Sequence, residues 1–432
     1  MSDLAQHIQQ TSLIDTHEHL RKEQEYVEAG PDVLADLFDN YAPQDLITAG
    51  ASAEVVNALI DSKNPDVAAR WNGVKDFWAH TQFTGYGEAV RTTAQNVYGM
   101  DQITLAGLEA GAEINRKRRQ PGERLRILRD EGNFDHVQID DFVWACLPDE
   151  SGVDFFLYDL SWVSFCDGRF DVAQLQTETG VEVRDLNSLR TAMAGLFAKY
   201  GPNAIAVKAQ HAYNRTLLWR ERSDAEVAPV LAQYLRGETL TVEEKLCLGD
   251  WGWARGVELS IEYHLPFKIH TGYYAGNNNM PVERIKPGHL CGLLARYPDA
   301  RFVLMHIAYP YDPELAAIAK HYRNVYVDLC WAWSIDPYSA GNFVRRFIHT
   351  VPINKLFIFG GDTSWPSSSV AYAGQARRWL TRSLQAEIDE GLLTEAQAIQ
   401  LATRLMRENQ LDCFDIPGKR AHLHAVAASK PN

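Results

Sequence analysis

The feature that most restricts how this chain can fold is a series of short apolar runs, rich in β-branched and aromatic residues, set among helical patterns. The first is SLIDTHEHL (12–20), and HVQIDDFVWACL, VDFFLYDLSWVSF, NAIAVKAQ, LPFKIHTG, ARFVLMHIAYP, NVYVDLCW and KLFIFGGDTSW follow it. Most are too continuously apolar to be half-wet antiparallel strands and read as strands covered on both faces, as in a parallel sheet. Helical patterns such as DLNSLRTAMAGLFAKYG, TVEEKLCLGDWGWARGVELSIEYH and DPELAAIAKHYR lie between them. Eight strands alternating with helices predict an α/β fold, a (β/α)8 TIM barrel. A doubly wound open sheet is the alternative, but no G-x-G-x-x-G or phosphate loop follows any of the runs.

One long interruption distorts that pattern. Residues 31–132 read as helical throughout, with no convincing period of two, and predict a helical insertion after strand 1. The expected organisation is therefore a barrel of residues 1–30 and 133–415, an insertion of 31–132, and a flexible C-terminal tail of 416–432. The tail repeats an H-x-H spacing at His422 and His424, but no strand-like run precedes it.

Composition narrows the function. A net charge of −14 speaks against nucleic acid or an anionic membrane as partner, since both reward clustered Lys and Arg. No run of about 18 apolar residues is present, so no membrane span is expected, and no signal-peptide pattern opens the chain. The six cysteines form no CxxC pair, which fits buried free thiols in a reducing, cytoplasmic setting. A small-molecule substrate is the expected partner, and an apolar helix face in the insertion would be the natural interface of a homo-oligomer.

The chemistry stands at the strand ends, where a barrel gathers its active site. Strand one ends in His17 and His19, which a strand would project to one side while Glu18 faces away. The fourth run ends in Lys208, the fifth in His270, the sixth in His306 and the eighth in Asp362. A charged or imidazole group after an apolar strand is costly unless it finds a partner. Imidazoles and a carboxylate together suit Zn²⁺ or a similar divalent ion, Mn and Fe being the other choices. Taken singly, each has an ordinary reading: a satisfied core histidine, or, for Asp362 after Gly-Gly, a turn residue.

In chain order these five motifs resemble the amidohydrolase superfamily, and most closely its amidohydrolase-related branch, near the uronate-isomerase-like and glutamine-synthetase-fused domains. KIHTGYY, VLMHIAYPYDPELAAIAKHYRNVYVDLCW and KLFIFGGDTSWP carry the likeness best. The resemblance implies that His17, His19 and Asp362 bind one metal. His270 and His306 would bind a second or face the substrate, and Lys208 would be a carbamylated bridge or point at an anionic substrate group. It also implies catalytic roles for Asp362, His306 and Lys208. The expected activity is metal-dependent hydrolysis of a C–N or C–O bond in an amide, lactone or ester. An aldose–ketose isomerase, a carboxy-lyase and, remotely, a metal-free binding module are the alternatives. His211, Arg215, Tyr273 and Trp331 are candidate substrate contacts, and Asp15 and Asp328 are candidates to orient ligand imidazoles.

Overall fold

The computed structural model describes residues 2–276 and 279–429. Its strands are short and buried: β1 (Leu13–Glu18), β2 (Phe134–Ile139), β3 (Phe156–Tyr158), β4 (Leu160–Ser161), β5 (Val207–Ala209), β6 (Phe267–Ile269), β7 (Phe302–Leu304), β8 (Val325–Asp328) and β9 (Leu356–Phe357). All pairs are parallel, in the orders β1-β2-β3 and β4 to β9 in sequence. Each predicted run supplies a strand, and VDFFLYDLSWVSF supplies both β3 and β4, broken at Asp159.

That break is where the run changes partners. Asp159 N donates to Ile139 O (2.7 Å) on the β2 side, and Leu160 N donates to Ala206 O (2.9 Å) on the β5 side. At the other end, Thr16 N donates to Phe359 O (3.1 Å), Asp362 N to His17 O (2.9 Å) and His19 N to Thr363 O (2.9 Å). These bonds join β1 to the segment after β9, so the two sheets wrap into the distorted barrel that the strand count called for. Helices follow the strands and cover the outside; Val242–Glu262 and Pro366–Asp389 are the longest among the described residues. Side-chain caps start many of them, as at Asp185, Ser223, Thr241 and Thr394, each with a reciprocal bond from the third residue in.

Between β1 and β2 the chain is helical, from Glu23–Ala29 to Glu123–Arg126 and a π-turn at Ile127–Glu131. The C-terminal segment differs from the expected flexible tail. Ile416–Ser429 is a helix with Ile416 and Leu423 buried, and residues 430–432 lie outside the described part. Polar bonds hold it: Lys419 donates to the Gly201 and Pro202 carbonyls (2.9 Å each), and Arg420 pairs with Asp135 (2.8 Å). His422 meets Asn203 and His424 meets Asp154, so the second H-x-H forms no common site. Among the described residues all six cysteines are free thiols, and no helix is long and apolar enough to cross a membrane.

The barrel interior is not purely apolar. Lys268, on β6, reaches Asp159 Oδ1 and Oδ2 at 2.9 Å each and donates to Thr16 O at 2.7 Å, with both charged groups fully buried. The pair lies inside the β strands that carry the polar ends.

Candidate metal centre

The register between β1 and β2 slips after Asp15, with Asp15 opposite Val137 and Glu18 opposite Ile139. Past that slip both strand-one imidazoles meet at one point. His17 Nε2 lies 3.1 Å and His19 Nε2 3.2 Å from the same atom, Asp362 Oδ1. His306 Nε2 lies 4.0 Å from Asp362 Oδ2. Two other bonds fix the protons: His19 Nδ1 faces Asp140 O (2.6 Å) and His306 Nδ1 faces Cys330 O (2.9 Å). A carbonyl only accepts, so each Nδ1 carries the hydrogen and each Nε2 presents a lone pair.

Lone pairs aimed at a carboxylate repel it unless a proton or a cation sits between them. The spacing is close to what a cation needs: donors each about 2.0–2.2 Å from one tetrahedral ion stand about 3.3–3.6 Å apart. His306 Nε2 is buried with no hydrogen-bond partner, which is costly unless something binds there. The residues present therefore fit a divalent ion. His17, His19 and Asp362 form one donor group in which all ligand atoms lie within 4.8 Å of one another.

Electrostatics keep the set ready for a cation. Burial pushes the His17 imidazole well below its usual range, and Lys208 pushes it further. Burial likewise lowers His306, to about 4, and drives His270 well down, helped by His306 and Lys208. Burial would raise the Asp362 carboxyl, but His17 and His19 outweigh it and hold it well below the ordinary carboxylate value. His19 goes the other way: burial would lower it, but the neighbouring Asp362 carboxylate outweighs burial and raises it, so that a proton takes the place between them when no cation does.

Lys208 reaches the same point: its ammonium donates to Gln210 Oε1 (3.2 Å) and lies 3.4 Å from His17 Nε2. His270 stacks at 4.3 Å between ring centres against His306, with Nε2 turned to Tyr273 O at 3.0 Å. Thus all six strand-end residues meet at one end of the barrel. The substrate candidates divide. Tyr273 gives its carbonyl to His270, while Trp331 packs on Tyr41 (4.1 Å) and edge-on to His306 (5.5 Å), one layer behind the site. Arg215 is not brought to the cleft. Its guanidinium is spent on Asp250 and the carbonyls of Cys166 and Leu218. His211 is buried edge-on against Trp253 at 4.1 Å. Asp15 and Asp328 orient no ligand imidazole: Asp15 accepts from the backbone of His17 and Gly361, and Asp328 from Thr16 Oγ1 and Cys330 N. Backbone carbonyls do that task instead for His19, His270 and His306.

A cavity of about 620 Å³ opens onto the donors, with His19, Gln210, His270 and Asp362 on its walls. Tyr41, Phe142 and Tyr213 give it aromatic faces, and Asp167, Arg169 and Asn214 give it polar ones. Gln210, Phe142 and Arg169 escaped the sequence reading. Gln210 was findable, because it stands two residues after Lys208 and so shares its side of the strand. Phe142 stacks flat on His19 (4.5 Å, 11°) with φ +64°, in the left-handed region that a bulky residue avoids. His306, Ile307, Ala308, Trp331 and Asp362 also have positive φ. Such backbone strain persists where the surroundings over-determine it, and it clusters at functional sites.

Comparison with known proteins agrees with this geometry. Residues 235–397 match the family model described as amidohydrolase. Over 227 residues the chain is 29% identical to protein fluG of Emericella nidulans, which covers 50% of this chain and 26% of that protein. The chain thus spans about a quarter of the length of this curated relative. Among solved structures, a uronate isomerase of Thermotoga maritima has a TM-score of 0.79 at 15% identity, covering 95% of this chain and 96% of that one. A glucuronate isomerase of Caulobacter crescentus has a TM-score of 0.76 at 16% identity, covering 95% and 92%. A Lactobacillus casei protein described as a candidate metal-dependent hydrolase has a TM-score of 0.66 at 15% identity over both whole chains. At these identities the likeness is one of fold.

Proposed function

We propose that the chain is an amidohydrolase-type, metal-dependent hydrolase of a small molecule, a reading supported by the match of residues 235–397 to the amidohydrolase family model. The reading rests on one observation: the Nε2 atoms of His17, His19 and His306 face the Asp362 carboxylate on the wall of the cavity. Imidazole nitrogens with a carboxylate oxygen, as His17, His19 and Asp362 offer them, suit Zn²⁺, with Mn²⁺ and Fe²⁺ as the other choices. Bound there, the ion supplies Lewis acidity, lowering the pKa of a water and polarising the scissile carbonyl.

The protein's own groups do the rest. Asp362, kept anionic by His17 and His19, takes the proton of the attacking water and hands it to the leaving nitrogen or oxygen. His306 offers a lone pair at Nε2, so it binds a cation or takes a proton; while neutral it does not donate one. His270 points Nε2 at a carbonyl and so holds its ring in place with Nδ1 as the acceptor. Lys208, steadied by Gln210, either adds an oxygen donor as a carbamate or presents its ammonium to an anionic substrate group. A cavity of about 620 Å³ takes a small substrate and suits an amide, lactone or ester with one apolar or planar face against Tyr41, Phe142 and Tyr213.

Aldose–ketose isomerisation is the second reading, favoured by the end-to-end fold likeness to the two isomerases. The metal-loaded protein should be assayed on a panel of amides, lactones, esters and uronates in heavy-oxygen water. Hydrolysis places one solvent oxygen in the product. Turnover confined to uronates, with the ketose isomer as the sole product and no bond cleaved by water, would replace the hydrolase reading with the isomerase one.

A further inference from the structure

Cys330 stands just past β8, and its thiol does not sit among apolar side chains alone. One donor atom each from His306, Cys330 and Asp362 lies within 4.8 Å of the other two, and all three residues are buried. His306 Nε2 is the partnerless nitrogen described above, 4.0 Å from Asp362 Oδ2. The thiol is held where it is. Cys330 N donates to Asp328 Oδ1 (2.8 Å), Trp331 N donates to Gly360 O (2.8 Å), and Cys330 O holds His306 Nδ1. Gly360 leaves the room: a Cβ there would come within 2.7 Å of Cys330 Sγ and 3.0 Å of Thr16 Oγ1.

Asp362 has two oxygens and uses them differently. Oδ1 meets His17 and His19, whereas Oδ2 is the nearer to His306. His270 gives Nε2 to Tyr273 O, and among the described residues it is not part of the donor group that gathers around His306. We propose that the centre has a second cation position with a sulfur donor, formed by His306 Nε2, Cys330 Sγ and Asp362 Oδ2. The proposal rests on the reading that His17, His19 and Asp362 bind a metal, and the carboxylate is the donor that the two positions share. A thiolate favours borderline and soft ions such as Zn²⁺, Co²⁺ or Cd²⁺ over Mg²⁺, Ca²⁺ and Mn²⁺. The two positions therefore differ in selectivity, the sulfur-bearing one being the stricter.

The test uses the whole 432-residue chain, stripped of metal and titrated with Co²⁺ under reducing, oxygen-free conditions. The wild type should take up two equivalents, with a sulfur-to-cobalt charge-transfer band in the near ultraviolet accompanying one of them. Cys330→Ser should lose that band and that equivalent while keeping visible bands from the first, and Cys166→Ser should keep everything. Two outcomes overturn the proposal and leave the metal-dependent reading standing: one equivalent with no sulfur band in the wild type, or a band that survives in Cys330→Ser. No uptake of Co²⁺ at all overturns both. Cys330→Ala, with the same expected losses, serves as the second variant should Cys330→Ser fail to fold.

Discussion

Replacing Lys268 with methionine would leave Asp159 without a cation inside the barrel and Thr16 O without its donor. Breaking a fully buried pair by removing one partner costs about 3–5 kcal/mol, because the remaining charge is stranded out of water. Unfolding entropy of about 2.1 cal/mol/K per residue gives about 0.9 kcal/mol per kelvin for 432 residues, so the melting temperature should fall by about 3–6 °C. Changing both members, Lys268→Met with Asp159→Leu, should recover most of that loss, since a well-packed apolar pair often equals a buried ionic one. The penalty should also depend on pH. Burial, partly offset by Lys268, raises the Asp159 carboxyl to about 6. A carboxyl raised on folding stabilises most when protonated, and its contribution falls as pH rises from about 4 through about 6. Without Lys268 that fall continues to higher pH, so the cost of Lys268→Met should grow between pH 6 and pH 8. Urea denaturation at both pH values measures it. A double variant no more stable than the single one, or a single-variant cost below about 1 kcal/mol, would refute the reasoning that the pair must stay matched.

His17→Ala and Asp362→Asn should each retain the wild-type circular dichroism spectrum and lose bound metal, with kcat falling by about 10²–10⁴-fold; near-normal rates in both would remove the basis for the proposed function. At position 142 the strained φ and the stack on His19 can be separated. Phe142→Gly should be more stable than Phe142→Ala by about 0.5–1 kcal/mol in denaturant titration, with KM raised in both. For Asp135, burial would raise the carboxyl, but the His136 hydrogen bond and the charges of Arg420 and Arg407 outweigh it and hold it well down. A depressed carboxyl lends stability above its unfolded pKa of about 4 and loses it as pH falls below. The stability gap between wild type and Asp135→Asn should therefore be wide at pH 6 and narrow towards pH 3, read from guanidinium midpoints.

The strand ends were legible in the sequence because each set an ionisable side chain against an apolar run. His17, His19, Lys208, His270, His306 and Asp362 stand out by that contrast, and the structure brings them to one point. Lys268 was hidden by the same logic. It lies between Phe267 and Ile269, inside a strand short enough to read as uniformly apolar, and its partner Asp159 is over 100 residues away. Asp15 and Asp328 looked like partners for imidazoles, but a bulged strand and a tight turn leave backbone N–H groups that need acceptors more. Arg215 looked like a free loop cation until Asp250, from the middle of a later helix, claimed it. The C-terminal helix was missed because what orders it, Asp135, Gly201 and Pro202, is remote in sequence. Pairings of this kind are set by topology, which local pattern does not reveal.

The bonds that seam β1 to the stretch after β9 have a consequence for how such a centre comes into being. His17 and His19 stand on one lip of that seam and Asp362 on the other. A half-made chain carries the imidazoles without the carboxylate that draws them together, so it can grip an ion only weakly. Loading becomes the last act of assembly, and a fully charged centre is in itself a report that the ring has closed.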